Sequence, residues 1–386
     1  MTRTISVVVA SRANYGRIKS VLSAISNHSS FRLDLVLAAS AVLYRFGDIS
    51  QTVENDGFNI SHKIYSVVEG ENHNTMVKST ASLMSELSTY YSATQPDAVL
   101  TVADRHETLA TAICASYSNI PLIHTQGGEQ TGSIDDKVRH SITKLSNIHF
   151  PATENARNNL ISMGENPDYV FNSGCPALDL CRTTNLSIDH IENPMLGNGA
   201  IIDFSKNYSL IVYHPVTDNL EQAAPTVKSI IDYVTQTDSQ FIWLWPNVDA
   251  GSDVISKTLR TSRDSNSVFS SKVRFVRSYT PEDYLRVLKN AQYVLGNSSS
   301  FIRECSLLAV PALLIGDRQR SRELGPNART LEECSDVDSL SQAISLLPSK
   351  NSIASSNLYS HTNAGAYIVE KLDQLQWPIL KASLPW

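Results

Sequence analysis

The stretch DAVLTVADRHETLATAICASYSNIPLIHTQGGEQTGSIDDKVRHSITK, residues 97–144, decides the fold. It opens with an apolar run, 97–104, that ends in Asp104. A helical pattern follows over 106–118, then a second apolar run over 121–125. After a loop with two glycines, a second helical pattern covers 134–146. Apolar runs without alternation are the mark of strands buried on both faces. Strands of that kind joined through helices build a parallel sheet.

The same alternation extends outward in both directions. Upstream, ISVVVA (5–10) and LDLVLAA (33–39) read as strands, and 15–25 and 76–91 read as helices. Downstream, IHFPAT (148–153) closes a first series. The segment 181–207 is polar, rich in Asn and without period, and it reads as a linker. The alternation then restarts. Strands are expected at 208–215, 240–246, 273–278, 291–297 and 311–317, and helices at 219–236, 252–263, 281–290 and 299–308. The expectation is therefore α/β with two doubly wound domains, 1–180 and 208–360, joined by the linker 181–207. A C-terminal helix in 361–386 is expected to pack back on the first domain. In such sheets ligands bind beyond the carboxyl ends of the strands. A cleft between the two domains is the expected place for a substrate.

Composition narrows the class. The chain has 386 residues, 42% of them hydrophobic, and a net charge of -6. A nucleic-acid binder would usually carry a basic excess, so no nucleic-acid partner is expected. No segment reaches the roughly 18–20 apolar residues of a membrane span, and the N-terminal apolar run is too short for a signal peptide. The five cysteines form no C-x-x-C pair. An odd number of unpaired thiols fits a cytoplasmic protein.

Chemistry gathers where the strands end. SRANYG (11–16) follows the first strand, and Arg12 with the backbone near Gly16 suits a phosphate; an ordinary turn with a surface Arg also fits. ADRHE (103–107) places Asp104, Arg105, His106 and Glu107 together, although Asp104 also suits a helix cap. HTQGGEQTGSIDD (124–136) carries Gln126, two glycines that let backbone approach a ligand, Glu129, Asp135 and Asp136. Acids in a first helical turn are stabilising in any case, which accounts for one of the two aspartates but not for Glu129. In the second half the strand ends bear His214; Asn247 and Gly251; Asn297, Ser298, Ser299 and Ser300, with Glu304 one turn on; and Arg318, Arg320 and Arg322. Hydroxyls and free N–H groups with an Arg nearby suit a diphosphate, and Glu304 suits the two hydroxyls of a ribose. An N-cap and a solvated basic loop are the plainer readings. No G-x-G-x-x-G follows the first strand and no G-x-x-x-x-G-K-[ST] is present. His and Cys lack metal-ligand spacing. No metal and no cofactor are expected.

Taken together, GGE-x-x-G-S-I-D-D-x-x-R-H-x-I-T-K (127–144), SGCPALD (173–179), HPVT (214–217), PNVDAGS (246–252), GNSS…RE (296–304) and RQ…RE (318–323) resemble the hydrolysing UDP-N-acetylglucosamine 2-epimerases, which make N-acetylmannosamine or related sugars for sialic-acid-type pathways. The resemblance covers nearly the whole chain. It implies two Rossmann-like domains in the GT-B arrangement with the active site between them, and a homodimer or homotetramer. It implies that Arg12, His214, Asn247, Ser298, Ser299, Glu304 and Arg318 hold the nucleotide diphosphate of a UDP- or GDP-linked sugar. Asp104 and Asp135 match carboxylates of acid/base function, with Arg105, Asp136 and Arg139 as their neighbours. The implied reaction eliminates the diphosphate to a glycal, then hydrates it with the opposite configuration at C2.

Two positions depart from the family pattern. Asn14 stands where an Asp is common, and Gln126 stands where a third carboxylate is expected. An amide transfers no proton, so Glu129, Asp136 or a water would take over, or the substrate differs, as in a branch acting on a diacetamido-trideoxy sugar for legionaminic-type acids. A non-hydrolysing epimerase and a GT-B glycosyltransferase without epimerase activity are the alternatives. The GGE…SIDD run favours hydrolysis, and Gln126 favours the transferase.

Overall fold

The computed structural model describes residues 2–102, 104–217, 219–332, 334, 336–360 and 363–379. The chain divides into two compact units. The first comprises 1–130, 134–180 and 359–386, and the second comprises 131–133 and 181–358.

The first unit holds strands β1 (Arg3–Val9), β2 (Phe31–Ala38), β3 (Ile60–Ile64), β4 (Ala98–Val102), β5 (Leu122–Thr125) and β6 (Ile148–Phe150). Its helices are α1 (Arg12–Ser26), α2 (Ser50–Asn55), α3 (His73–Thr94), α4 (His106–Tyr117), α5 (Ile134–Leu145) and α6 (Glu154–Ser162), and α7 (Ala177–Thr183) runs across the boundary between the units. The sheet has the order β3-β2-β1-β4-β5-β6 and all its pairings are parallel. This is the doubly wound Rossmann order, whose switch point lies between β1 and β4. Both faces are covered, as the unbroken apolar strands require. Val7 and Val9 pack with α1 on one face, whereas Val8 packs with Leu83, Leu87 and Ala110 on the other.

The second unit contributes β7 (Asn198–Gly199), β8 (Tyr208–Val212), β9 (Gln240–Leu244), β10 (Val273–Val276), β11 (Val294–Gly296), β12 (Ala312–Ile315) and β13 (Ala328–Leu331). With them go helices α8 (Ala223–Gln236), α9 (Ser252–Ser265), α10 (Ser267–Ser270), α11 (Pro281–Asn290), α12 (Glu304–Leu308) and α13 (Val337–Ser345). The sheet order is β13-β12-β11-β8-β9-β10-β7. From β8 to β13 it repeats the doubly wound pattern, with its switch point between β8 and β11. The protein is thus two Rossmann-like domains, the α/β class expected from the alternating runs.

The segment 181–207, expected as a linker, is built into the second unit. β7 pairs antiparallel with β10. Arg274 donates to the carbonyls of Met195, Leu196 and Gly199. The Asp283 carboxylate accepts the Glu192 N–H, and Asn290 donates to the Leu186 carbonyl at 2.8 Å. Side chains of β10 and α11 supply these anchors, so the segment's own lack of period did not reveal them.

The last helix, α14 (Ala364–Gln374), packs on α1 in the first unit. Its free N-terminal N–H groups are met by the Asp179 carboxylate, which accepts from Ala364 at 2.9 Å and Gly365 at 2.8 Å. A side chain at Gly365 would sit 2.6 Å from the Ser20 carbonyl, so only glycine allows the two helices this approach. Asp179 closes the SGCPALD motif, and this gives that motif's acid a structural task. No described helix is long and apolar enough to cross a membrane.

Candidate functional site

In the first unit the site forms at the carboxyl ends of β1, β4 and β5. Arg139 organises it. This Arg lies in the second turn of α5 and is fully buried. Helical side chains lean toward their own N-terminus, which carries the guanidinium back to the preceding loop and to the end of β4. One terminal nitrogen donates to the Glu129 carbonyl at 2.7 Å and to Asp136 Oδ1 at 2.5 Å; the other donates to Asp104 Oδ2. Asp136 is three residues before Arg139, on the same helix face. Burial on its own would lower the Arg139 pKa. Asp104, Glu129 and Asp136 together outweigh it and raise the pKa above its ordinary value. The guanidinium stays charged, and Asp104 is buried beside a permanent cation. Burial, then the Arg139 charge, hold the His140 imidazole below its ordinary pKa against the pull of Asp136.

The four ionisable residues at 104–107 separate into two groups. Asp104 turns to Arg139. Arg105 forks onto Glu107 at 3.0 and 3.1 Å, and His106 Nδ1 lies 3.3 Å from the same carboxylate. Glu107 is buried in the first turn of α4. Burial raises its pKa, but Arg105 and His106 lower it further, so it is held below the usual carboxylate range. Asp135 lies partly buried in the first turn of α5, beside Asp136.

Gln126 follows β5 in a left-handed conformation, φ 63°, uncommon for a residue with a Cβ. Its N–H donates to the Phe150 carbonyl at 2.8 Å, which ties it to β6. Its side chain is buried, with Nε2 3.7 Å from the sulfur of Cys175. The glycines that follow serve packing as well as any ligand. A Cβ on Gly128, at φ 79°, would fall 2.1 Å from the Ala156 carbonyl of α6. Asn159 of the same helix donates to the Gly128 carbonyl at 2.9 Å. Glu129 is buried next along the loop.

Arg12 opens α1 across the switch point from Asp104 and reaches the Phe46 carbonyl at 3.5 Å. Ser11 caps this helix, accepting the Asn14 N–H at 3.2 Å and donating to Asn14 Oδ1 at 3.1 Å. Asn14 is therefore a buried partner of the cap.

In the second unit the candidates surround the β8/β11 switch point. Asn297 bridges the two strands, accepting the His214 N–H and donating to the His214 carbonyl, both at 2.8 Å. His214 Nδ1 accepts the Asn247 N–H at 3.4 Å. A neutral ring that accepts at Nδ1 carries its proton on Nε2. Asn297 is fixed in turn: Gln319 donates to its carbonyl at 3.0 Å, and Arg322 donates to Gln319 at 2.6 Å. Arg322 is thereby used inside the protein. Arg318 makes no hydrogen bond or ion pair with the described residues, and Arg320 is exposed.

The helix expected over 299–308 is not continuous. Ser299–Phe301 form one 3-10 turn capped by Ser298, and α12 begins only at Glu304. Phosphate binding there would rest on the hydroxyls of Ser298 and Ser299, both half-buried, rather than on a long helix's dipole. Asn297, named among the strand-end residues from the sequence, proves to be the link between the two strands, whereas Gln319 and Tyr284 are not singled out there: Tyr284 is set in an amphipathic helix, where an aromatic residue reads as core. Among the described residues no group of His, Cys, Asp and Glu is placed to hold a metal ion.

Comparison with known proteins agrees with this architecture. A solved UDP-GlcNAc 2-epimerase from Neisseria meningitidis, bound to UDP-GlcNAc, superposes with a TM-score of 0.75 over 96% of this chain and 100% of that one, at 18% identity. The fold is therefore that of the GT-B-like epimerases. A hydrolysing UDP-N,N'-diacetylbacillosamine 2-epimerase of Legionella pneumophila is 31% identical over 327 residues, 85% of this chain and 84% of that protein. The polysialic acid biosynthesis protein P7 of Escherichia coli is 31% identical over 84% of this chain and 81% of its own length. The UDP-N-acetylglucosamine 2-epimerase family model matches residues 23–373, a span that begins within α1 and takes in the Arg139 cluster and the β8/β11 switch point, and the chain belongs to that family.

Proposed function

We propose that the protein is a hydrolysing 2-epimerase of a nucleotide-diphosphate N-acetylated amino sugar. The observation that carries this reading is the buried Asp104–Arg139–Asp136 cluster at the β1/β4 switch point, in a chain similar to a hydrolysing diacetylbacillosamine 2-epimerase. Proton abstraction from C2 needs a base that is already ionised, and Arg139 keeps Asp104 beside a fixed positive charge. In the first step a carboxylate, Asp104 or Asp135, takes the C2 proton. The C1–O bond to the diphosphate breaks, and its electron pair leaves with the nucleotide, giving a glycal. In the second step the hydroxyl of a water adds to C1 and C2 receives a proton on the opposite face from the other residue, acting as a carboxyl; the proton released by the water restores that carboxyl, and the proton taken in the first step passes to solvent. Water is consumed once, and the products are the free 2-epimer and the nucleoside diphosphate.

Gln126 orients the sugar or the water; Arg139, itself held by Asp136 and the Glu129 carbonyl, keeps Asp104 in place, and Arg105 lines the same strand end while paired with Glu107. Arg12, His214, Asn247, Ser298, Ser299, Glu304 and Arg318 bind the nucleotide, with His214 Nε2–H and the open Arg318 as its donors. The substrate is UDP- or GDP-linked N-acetylglucosamine or its 2,4-diacetamido-trideoxy analogue. A cytoplasmic homodimer or homotetramer is the expected form. The five buried cysteines, none in a disulfide, suit that setting.

The test incubates the protein in heavy water with UDP-N-acetylglucosamine and with the diacetamido analogue, followed by NMR. Free 2-epimer carrying deuterium at C2 is expected. Epimeric nucleotide sugar would replace the reading with a non-hydrolysing epimerase, and no exchange at C2 with any substrate would replace it with a transferase.

A further inference from the structure

Behind Ser298 lies a chain of hydroxyl groups that the reaction scheme does not use. Tyr284 reaches from α11 to place its phenol oxygen 2.5 Å from Ser300 Oγ, and Ser300 Oγ lies 2.9 Å from Ser298 Oγ. The Ser300 N–H also points at Ser298 Oγ, at 3.4 Å. Ser300 is buried, whereas Ser298 is half-buried at the end of β11.

A row of hydroxyls can run its protons in either direction, and its ends decide which. Burial, then the negative charge of Glu304, push the Tyr284 pKa above its ordinary value, so the phenol keeps its proton. The side-chain oxygens that meet the phenol are those of Ser300 and Ser298. If the phenol accepted a bond from Ser300 instead, its own proton would have to turn to Ser298 Oγ, which already faces the Ser300 hydroxyl and N–H, the more crowded arrangement. The protons therefore run from Tyr284 to Ser300 and from Ser300 to Ser298. Ser298 Oγ then accepts both the Ser300 hydroxyl and the Ser300 N–H. What remains to Ser298 Oγ is its own O–H, which Ser300 does not need and which half-buried Ser298 can offer to a ligand.

We propose that Tyr284 is a positioning residue that fixes the direction of this relay, so that Ser298 presents a proton donor to the diphosphate of the substrate. The proposal rests on the reading of Ser298 as a diphosphate ligand. The phenol touches no substrate atom; it determines whether the serine in front of it donates or accepts. An anionic oxygen accepts only, so a serine locked as a donor is matched to phosphate before the ligand arrives.

Calorimetry on Tyr284→Phe tests this, with UDP, GDP and the matching nucleosides as ligands. The nucleoside diphosphate that the wild type binds should bind about fivefold to tenfold more weakly, the size of part of one hydrogen bond to a charged group. Nucleoside affinity should not change, because the relay ends at the phosphates. KM should rise with kcat nearly constant, and the melting temperature should hold. Ser300→Ala should cause a similar loss, and the double variant should bind no more weakly than Ser300→Ala alone, as for two members of one chain. Unchanged diphosphate affinity in Tyr284→Phe, an equal loss for the nucleoside, or losses that simply add would each overturn the relay. A wild type that bound neither diphosphate would instead overturn the functional reading beneath it.

Discussion

Replacing Arg139 by Met should expose how the first-unit site is held. The side chain is fully buried, and its guanidinium serves two carboxylates and one carbonyl. Met fills much the same volume without any donor. Asp104, 7% exposed, would then be an anion in the interior with its ion pair gone. Removing one partner of a buried pair costs about 3–5 kcal/mol, because the other charge is left uncompensated. That is a large part of the roughly 5–15 kcal/mol that holds a domain folded, so the variant should be marginal. Urea unfolding of the first unit gives the number. Arg139→Lys supplies the second reading, since it keeps the charge but loses the fork that spans three acceptors; it should recover part of the stability. The pH profile separates the functional role. Without the cation Asp104 is easier to protonate, and a base must be ionised. The acid limb of kcat/KM should move to higher pH in Arg139→Met by roughly one to three pH units, and much less in Arg139→Lys. An Arg139→Met protein within about 1 kcal/mol of wild type, or with an unmoved acid limb, would refute the claim that this Arg keeps Asp104 ready as a base.

Asp179→Ala removes two charge-assisted bonds to the first N–H groups of α14. A loss of about 3 kcal/mol or more is expected in urea unfolding, and a loss below about 1 kcal/mol would show that the helix is held by its apolar face alone. Arg318→Ala should weaken UDP or GDP binding about tenfold without lowering the melting temperature, whereas Arg322→Ala, which removes the donor to Gln319, should lower the melting temperature; calorimetry and thermal melts that found the reverse would exchange their roles. Gln126→Glu should fold and keep substantial activity or shift sugar preference, while Asp135→Asn loses about a hundredfold or more in kcat; Gln126→Ala abolishing C2 exchange as fully as Asp135→Asn would assign the proton transfer differently.

The strands that could be read from the sequence are those buried on both faces, where apolar residues run without interruption. The ones passed over lie at the edges of the sheets. β3 reads ISHKI with two exposed polar residues, β13 reads ARTL with an exposed pair, and β7 is an exposed Asn-Gly. An edge strand has one neighbour and an open flank, so its side chains carry little of the core and leave no apolar signature. The site behaved in the same way. Residues at strand ends could be singled out as candidates because the fold class puts ligands there. Their pairing was not, since Asp104 meets Arg139 across 35 positions and only the placement of α5 brings them together. Proximity in sequence suggested one cluster at 104–107, and the structure divides it in two because the helix turn sends Asp104 and Arg105 in different directions.

Gln126 shows what such pairing means for chemistry. An amide and a carboxyl have nearly the same shape, so the left-handed backbone and the tie to Phe150 hold for either. They differ in charge, and at 1% exposure charge decides. An ionised carboxylate at that depth is stable only with a cation or several N–H donors around it, and burial by itself favours the protonated form. A carboxyl placed there would hold its proton to higher pH than an exposed one and would donate a hydrogen bond, as the amide does. The amide thus copies the neutral form of the carboxyl common in the family, keeping its hydrogen bond and giving up its proton. On this reasoning Gln126→Glu should introduce a new ionisation into the kcat profile on the alkaline side of the wild-type optimum, because activity would then depend on the introduced carboxyl remaining protonated. A variant whose kcat profile matched the wild type at every pH would show that the position never needed a proton at all.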